Sequence, residues 1–240
     1  MTLSIFSPEV LIGRVIGLVI GFTLHEWAHA WTAYHLGDNT AYIQGRLTLN
    51  PRAHIEPIGI ILALIAGFGW AKPVPVNPRA FYPNEKRGLV IVSLAGPLMN
   101  LLIALALGVL IRLLTTGGLF EGETRVLVNS GELIQKGVGT TGALTFVYNV
   151  LGTVVLFNLV LCLFNLIPLA PLDGYKIAVG TLPREQASAL IRYERETTLA
   201  LMLLILLGAM SSGGFSPLWA LLGPPLRFLY ELFAGFYPVF

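Results

Sequence analysis

The pentapeptide His25-Glu26-Trp27-Ala28-His29 lies inside an apolar run that begins near Val10 and is long enough to enter a bilayer. No other feature constrains the chain as much. Charged side chains at bilayer depth cost roughly 2.5–3.5 kcal/mol each on insertion scales, so a fold that keeps ionisable groups there has a use for them. On a helix, His25 and His29 fall one turn apart on one face, aimed at a single ion. Glu26 stands about 100° further round, close enough to act on water beside that ion without ligating it. Such spacing suits zinc, which takes neutral imidazole nitrogens and leaves a position open at catalytic sites. A surface pair of histidines is the competing reading, but the flanks Ile16, Val19, Ile20, Phe22, Leu24 and Trp27 are apolar.

Composition extends this reading to the whole chain. Of 240 residues, 55% are hydrophobic and 12% charged, and the mean hydropathy is +0.76. Soluble domains carry about 25% charged residues, so an integral membrane protein is expected. A net charge of +2 is too small to suggest nucleic acid as a partner. Cys162 stands alone and excludes an intrachain disulfide; in its apolar run it reads as a small buried hydrophobe. The N-terminus lacks the basic start of a cleavable signal, and cleavage would remove the motif. One membrane-embedded domain over residues 1–240 is expected, with a core at 10–180 and further membrane segments at 197–236.

The expected fold is an α-helical multipass membrane protein with about five to six membrane segments, one re-entrant, and short β-strands near the active site. A first span covers roughly residues 9–36 and stops at Gly37, a natural left-handed cap. Thr40 to Pro51, β-branched and aromatic with a break at Gly45, predicts short strands. Ile58 to Trp70 is apolar but below the roughly 17–25 residues that a helical span needs. Lys72-Pro73-Val74-Pro75-Val76-Asn77-Pro78 is barred from helix by alternate prolines and predicts an edge-type extended segment. Further spans are predicted at 89–114 and 138–167, with a polar, glycine-rich loop at 115–137. An interfacial helix is expected at 183–196, followed by apolar segments at 197–210 and 217–236.

Basic residues set the orientation. Arg46, Arg52, Lys72, Arg79, Lys86 and Arg87 lie between the first two full spans, and Lys176, Arg184, Arg192 and Arg195 follow the third. The intervening loop holds only Arg125 and Lys136. The positive-inside rule then puts the first two groups in the cytoplasm and the N-terminus outside. Both groups stay on one side only if Ile58–Trp70 dips into the membrane and returns.

Two imidazoles leave a catalytic zinc one protein ligand short. Asp173 is the candidate: it follows a span parallel to the first, and Pro168 and Pro171 break the chain so that it can turn inward. Asp173-Gly174 also reads as a helix-ending turn. Asn100 and Asn165 are uncharged donors in apolar surroundings, suited to lining a site or to joining helices, as is Asn158. His35 points away from the metal face, and His54 reads as a loop histidine with an ordinary hydrogen bond.

Taken together, His25-Glu26-Trp27-Ala28-His29, Ala95-Gly96-Pro97-Leu98-Met99-Asn100 and Asn165-Leu166-Ile167-Pro168 leading to Pro171-Leu172-Asp173-Gly174 resemble the motifs of the site-2 proteases, intramembrane zinc metalloproteases. The resemblance spans about residues 10–180. It implies His25, His29 and Asp173 as zinc ligands, Glu26 as the catalytic acid/base, and Asn100 and Asn165 as groups that hold substrate or the oxyanion. The substrate it implies is a transmembrane protein or peptide in a lipid bilayer, met in the cell membrane with the site toward the cytoplasm. Gly69 to Pro75 looks like the small bacterial members, and neither a PDZ nor a CBS domain is visible. The alternative is a non-proteolytic membrane protein that binds or transports metal, which would spread ligands along a path and often carry an internal repeat. Residues from about Ile55 to Val76 are expected to gate the site, and the extended segments at Tyr42–Leu49 and Val74–Val76 to receive an unwound substrate by strand addition.

Overall fold

The computed structural model describes residues 8–66, 69–119, 125–129, 132–136, 142–210 and 216–235. Helix α1 (Pro8–His35) carries the HExxH motif in its second half. It ends where the sequence predicts. Gly37 takes φ +100, Asp38 N donates to Ala33 O at 2.9 Å, and Gly37 N donates to Tyr34 O at 3.1 Å. These two bonds satisfy the last carbonyls of the helix.

The next segment departs from expectation. Thr40–Ile43 is a single helical turn, α2, and not a strand. Asp38 Oδ1 accepts from Thr40 N at 2.9 Å, and Gly45 turns the chain at φ +67. A side chain that bonds backbone two residues on favours a turn, and here it overrides β propensity.

Pro57–Ala66 forms α3, only 10 residues or about 15 Å long. Its flanks meet: Ile55 pairs with Ala71, and Lys72 N donates to His54 O at 2.8 Å. A segment whose ends pair side by side cannot join opposite faces of a hydrocarbon core about 30 Å thick. It goes out and returns. Gly59 lies so close to Trp70 that a Cβ would strike its backbone. Residues 67–68, including Gly67 of the expected gate, lie outside the described residues.

Beyond the extended prolines, Asn77 caps a 3-10 turn at Pro78–Phe81. Helix α4 (Glu85–Thr116) follows, with Pro97 inside it. Strands β1 (Arg125–Asn129) and β2 (Glu132–Lys136) pair antiparallel where a loop was expected. Helices α5 (Ala143–Asn165), α6 (Asp173–Thr181), α7 (Arg184–Arg192), α8 (Glu194–Met210) and α9 (Pro217–Ala234) complete the order.

Among the described residues three helices, α1, α4 and α5, are long and apolar enough to cross a membrane. The protein is a multipass membrane protein, and its described residues hold these three spans and not the five to six expected membrane segments with strands at the site. The physical reasons are local. Helix α8 has 17 residues and begins Glu194-Arg195-Glu196, while α9 carries Pro224, Pro225, Arg227 and Glu231. The expected Ser211–Gly214 connection between them lies outside the described residues. Exposed Ile12, Val15, Ile16 and Ile20 on α1, and Leu98, Leu102 and Leu113 on α4, give these helices faces suited to lipid.

The chain packs as two compact units. The first draws on Met1–Leu18, Leu101–Val160 and Leu207–Phe240. In it α1 and α5 touch closely: Gly13 lies against Thr153, and Gly17 against Val154 and Phe157. Small residues at this spacing let two membrane helices pack backbone to backbone. The second unit draws on Val19–Asn100 and Leu161–Leu206, and it contains every residue of the site described next.

Candidate metal centre

Both histidines of α1 are fixed from behind. His25 Nδ1–H donates to Asn100 Oδ1 on α4 at 2.6 Å, and Asn100 Nδ2 donates to Gly21 O at 3.2 Å. His29 Nδ1–H donates to Val92 O, also on α4, at 2.7 Å. With the protons held on Nδ1, each neutral imidazole presents a bare Nε2 lone pair.

Those two lone pairs meet a carboxylate. Asp173 Oδ2 lies 3.1 Å from His25 Nε2 and 3.0 Å from His29 Nε2, and the two nitrogens are 3.0 Å apart. All three residues are buried. In the neutral tautomers no proton lies within this triangle, so three acceptors face one another with nothing between them, an arrangement a cation relieves. The size also fits. A triangle with 3.0–3.1 Å sides has its centre about 1.8 Å from each corner. A point about 1 Å off its plane is therefore about 2.0–2.1 Å from all three atoms, the span of zinc–imidazole and zinc–carboxylate bonds. A carboxyl that holds a metal must be ionised, and the Lys176 ammonium beside Asp173 Oδ1 favours that form.

A proline-broken turn leads to Asp173. Helix α5 stops at Asn165, the chain turns through Pro168 and Pro171, and α6 begins at Asp173 with Leu172 in extended geometry at its cap. Gly174 packs against Leu166 O and Ile167 O, where a Cβ has no room. The second carboxylate oxygen is occupied too: Lys176 Nζ lies 3.1 Å from Asp173 Oδ1.

Glu26 is buried beside the triangle and outside it. Its Oε2 accepts from Val74 N at 2.8 Å. That places the extended Lys72–Val76 stretch against the motif and uses the one donor at Val74 that strand addition would need. Of the two asparagines, Asn100 bonds His25, while Asn165 Nδ2 returns to Leu161 O of its own helix at 2.9 Å. Asn158 does the same with Val154 O at 2.9 Å. His35 Nδ1 bonds Trp31 O at 2.8 Å, and buried His54 Nε2–H donates to Thr48 O at 2.8 Å.

Several contributors escape sequence reasoning. Gly96 is one: a Cβ there would lie 2.6 Å from His25 Nε2, so only glycine lets α4 close over the imidazoles. A Gly-Pro pair inside an apolar span was the available signal. Val92 acts through a carbonyl, which no side-chain pattern reveals. Arg46 and Lys176, read above only as topological charges, both reach the site region.

Known proteins resemble this chain. YwhC of Bacillus subtilis is 44% identical over 169 residues, covering 70% of this chain and 68% of its own. Rip2 of Mycobacterium tuberculosis is 29% identical over 211 residues, covering 86% of this chain and 71% of its own. Rip2 of Mycolicibacterium smegmatis is 28% identical over 206 residues, covering 84% and 70%. All three bear names that assign them, provisionally, as zinc metalloproteases. No solved structure gives a significant match. Residues 13–209, which include both histidines, Glu26 and Asp173, match the profile of peptidase family M50, and this chain belongs to that family.

Proposed function

We infer that this protein is an intramembrane zinc metalloprotease that hydrolyses peptide bonds within or near transmembrane segments of membrane proteins. One observation carries the reading: in a peptidase-family chain, two fixed imidazole lone pairs and a carboxylate oxygen converge beside a buried glutamate on a membrane-spanning helix. A transport path would need further ligand groups, and among the described residues this is the one such cluster.

His25, His29 and Asp173 would hold the metal. Zinc, when bound, supplies Lewis acidity toward the scissile carbonyl and toward water. The chain's own groups do the rest. Glu26 takes the proton of the attacking water and returns it to the leaving amine, a general acid–base role. Val74 N–H holds one oxygen of that carboxylate, leaving the other to meet the proton. Asn100 and Val92 O keep the imidazole protons on Nδ1, so the Nε2 atoms stay available as ligands. For Asn165, at the end of α5, a role in holding substrate is proposed from the family resemblance alone. The whole chain acts as one membrane-embedded protease domain. Its site faces the cytoplasm, as the basic residues around the first two full spans argue.

The test pairs metal analysis with fragment proteomics. Purified protein holds about one zinc per chain, lost on His25→Ala, His29→Ala or Asp173→Ala. Glu26→Gln keeps the zinc and loses roughly 10²–10⁴-fold in turnover. Membrane-retained substrate stubs present in wild-type cells disappear in Glu26→Gln cells. Zinc retained by a folded His25/His29 double alanine variant, or undiminished turnover in Glu26→Gln, overturns the reading.

A further inference from the structure

The Lys72-Pro73-Val74-Pro75 stretch has almost no freedom of its own. Prolines at 73 and 75 lack backbone N–H groups and hold the residues before them extended. The stretch therefore offers two donors, Lys72 N and Val74 N. Lys72 N goes to His54 O at 2.8 Å, which anchors the start of the stretch. Val74 N goes to Glu26 Oε2 at 2.8 Å. The carbonyls between them are gripped by one side chain: Arg46 Nη2 donates to Lys72 O at 2.5 Å and Nη1 to Pro73 O at 3.2 Å.

Arg46 is buried, an unusual place for a guanidinium engaged by no carboxylate among the described residues. Burial lowers its pKa, and the charge of Glu26 acts in the opposite sense. Retaining a buried cation to hold two carbonyls is costly unless the geometry it fixes is needed. That geometry is the Val74 amide. With two neighbouring carbonyls clamped, the amide cannot rotate away, and Glu26 keeps Oε2 occupied and Oε1 without a hydrogen bond among the described residues.

We propose that Arg46 is a positioning residue for Glu26: by clamping the carbonyls of Lys72 and Pro73 it holds the Val74 N–H on Glu26 Oε2 and so aims the other carboxylate oxygen. Acting through a fixed backbone amide, it touches neither metal ligand nor substrate. The proposal rests on the reading of Glu26 as the general acid/base. A fork of two donors is required, so lysine, with the same charge, is a poor substitute.

The experiment uses the full-length protein in detergent with a fluorogenic transmembrane peptide, and compares Arg46→Lys, Val74→Pro, the double variant and Glu26→Gln. A misplaced catalytic group costs up to about 10²-fold. Arg46→Lys is expected to lower kcat roughly ten- to a hundredfold, with KM and zinc content close to wild type. Val74→Pro deletes the amide donor while leaving the Arg46 carbonyls in place, and is expected to lower kcat similarly. The double variant should match the worse single one, because both act through one hydrogen bond. The infrared carboxylate band of Glu26, assigned by difference against Glu26→Gln, should shift in both single variants. This measurement needs no turnover.

Full kcat in Arg46→Lys with Glu26→Gln inactive overturns the proposal and leaves the protease reading standing. An active Glu26→Gln overturns the reading beneath it. Multiplying losses in the double variant, or an unmoved Glu26 band, reduces Arg46 to a structural residue and also overturns the proposal. Should Arg46→Lys fail to fold, Arg46→Gln, which keeps a single amide donor group in place of the fork, decides through the same band and kcat.

Discussion

Asn100→Ala separates two roles that one residue could play. From sequence the asparagine is expected to hold substrate or the oxyanion, yet in the structure its Oδ1 accepts from His25 Nδ1 at 2.6 Å and its side chain is fully buried. Its Nδ2 bonds Gly21 O, a carbonyl already placed to accept within α1, whereas truncation leaves the Nδ1–H of His25 without its acceptor. An unsatisfied buried donor costs about 1–3 kcal/mol. His25 can escape that cost by moving its proton to Nε2, which abolishes the ligand lone pair. Loss of an outer partner of a metal-binding histidine typically weakens metal affinity 10–100-fold, or about 1.4–2.8 kcal/mol at 1.4 kcal/mol per tenfold, which agrees with the unsatisfied-donor figure. Competition with a fluorescent zinc chelator should therefore show Asn100→Ala releasing zinc at 10–100-fold lower chelator concentration. With zinc in excess, kcat should recover to within a fewfold. Asn100→Asp restores the acceptor and should recover zinc retention. If Asn100→Ala holds zinc like the wild type while kcat or KM collapses, the side chain meets substrate and the positioning argument is refuted.

Gly96→Ala should be among the most damaging single methyl additions in the chain, because its Cβ would stand 2.6 Å from His25 Nε2; overpacking of this kind costs about 1–3 kcal/mol. Zinc content should fall with little change in helicity by circular dichroism, and an unchanged zinc content would count against the described closeness of α4. Lys176→Ala removes the partner of Asp173 Oδ1, but the lysine side chain is 44% exposed. A partly screened pair is worth about 0.2–1 kcal/mol, so zinc affinity should fall no more than about fivefold, well short of Asn100→Ala; a larger loss in the chelator assay would mean the pair is not screened. Cysteines at Arg52, Arg79 and Arg184 should be labelled from the cytoplasmic side in intact cells, and one at Leu119 from outside. Opposite labelling of Arg52 and Arg79 would mean that the α3 excursion crosses the membrane.

Much of the site was legible in the sequence because its information is local. HExxH places two candidate ligands by helix periodicity alone, and an apolar setting makes the histidines and glutamate conspicuous. The prolines before Asp173 announce a break that brings a carboxylate to the end of a span. Gly37 stops α1 because a left-handed residue is cheap only for glycine. What failed was also local in origin: β-branched residues after Asn39 suggested strands, and the hydropathy of the chain suggested more spans than the described helices provide. A side-chain bond from Asp38 decided the first, and helix length, prolines and charges decided the second.

By itself the sequence determined that the chain enters a membrane, that His25 and His29 share one face, and that Glu26 stands beside them. All of this follows from composition and a 3.6-residue period. Only the tertiary structure decided which nitrogen of each histidine is free, since the choice depends on Asn100 and Val92 O, 75 and 63 residues away. The same holds for Glu26, whose Oε2 is claimed by Val74, 48 residues on, and for Arg46, whose fork meets carbonyls that no side-chain pattern encodes. Backbone donors and acceptors are common to nearly every residue, so a sequence cannot say which of them a site will use until folding brings them within 3 Å.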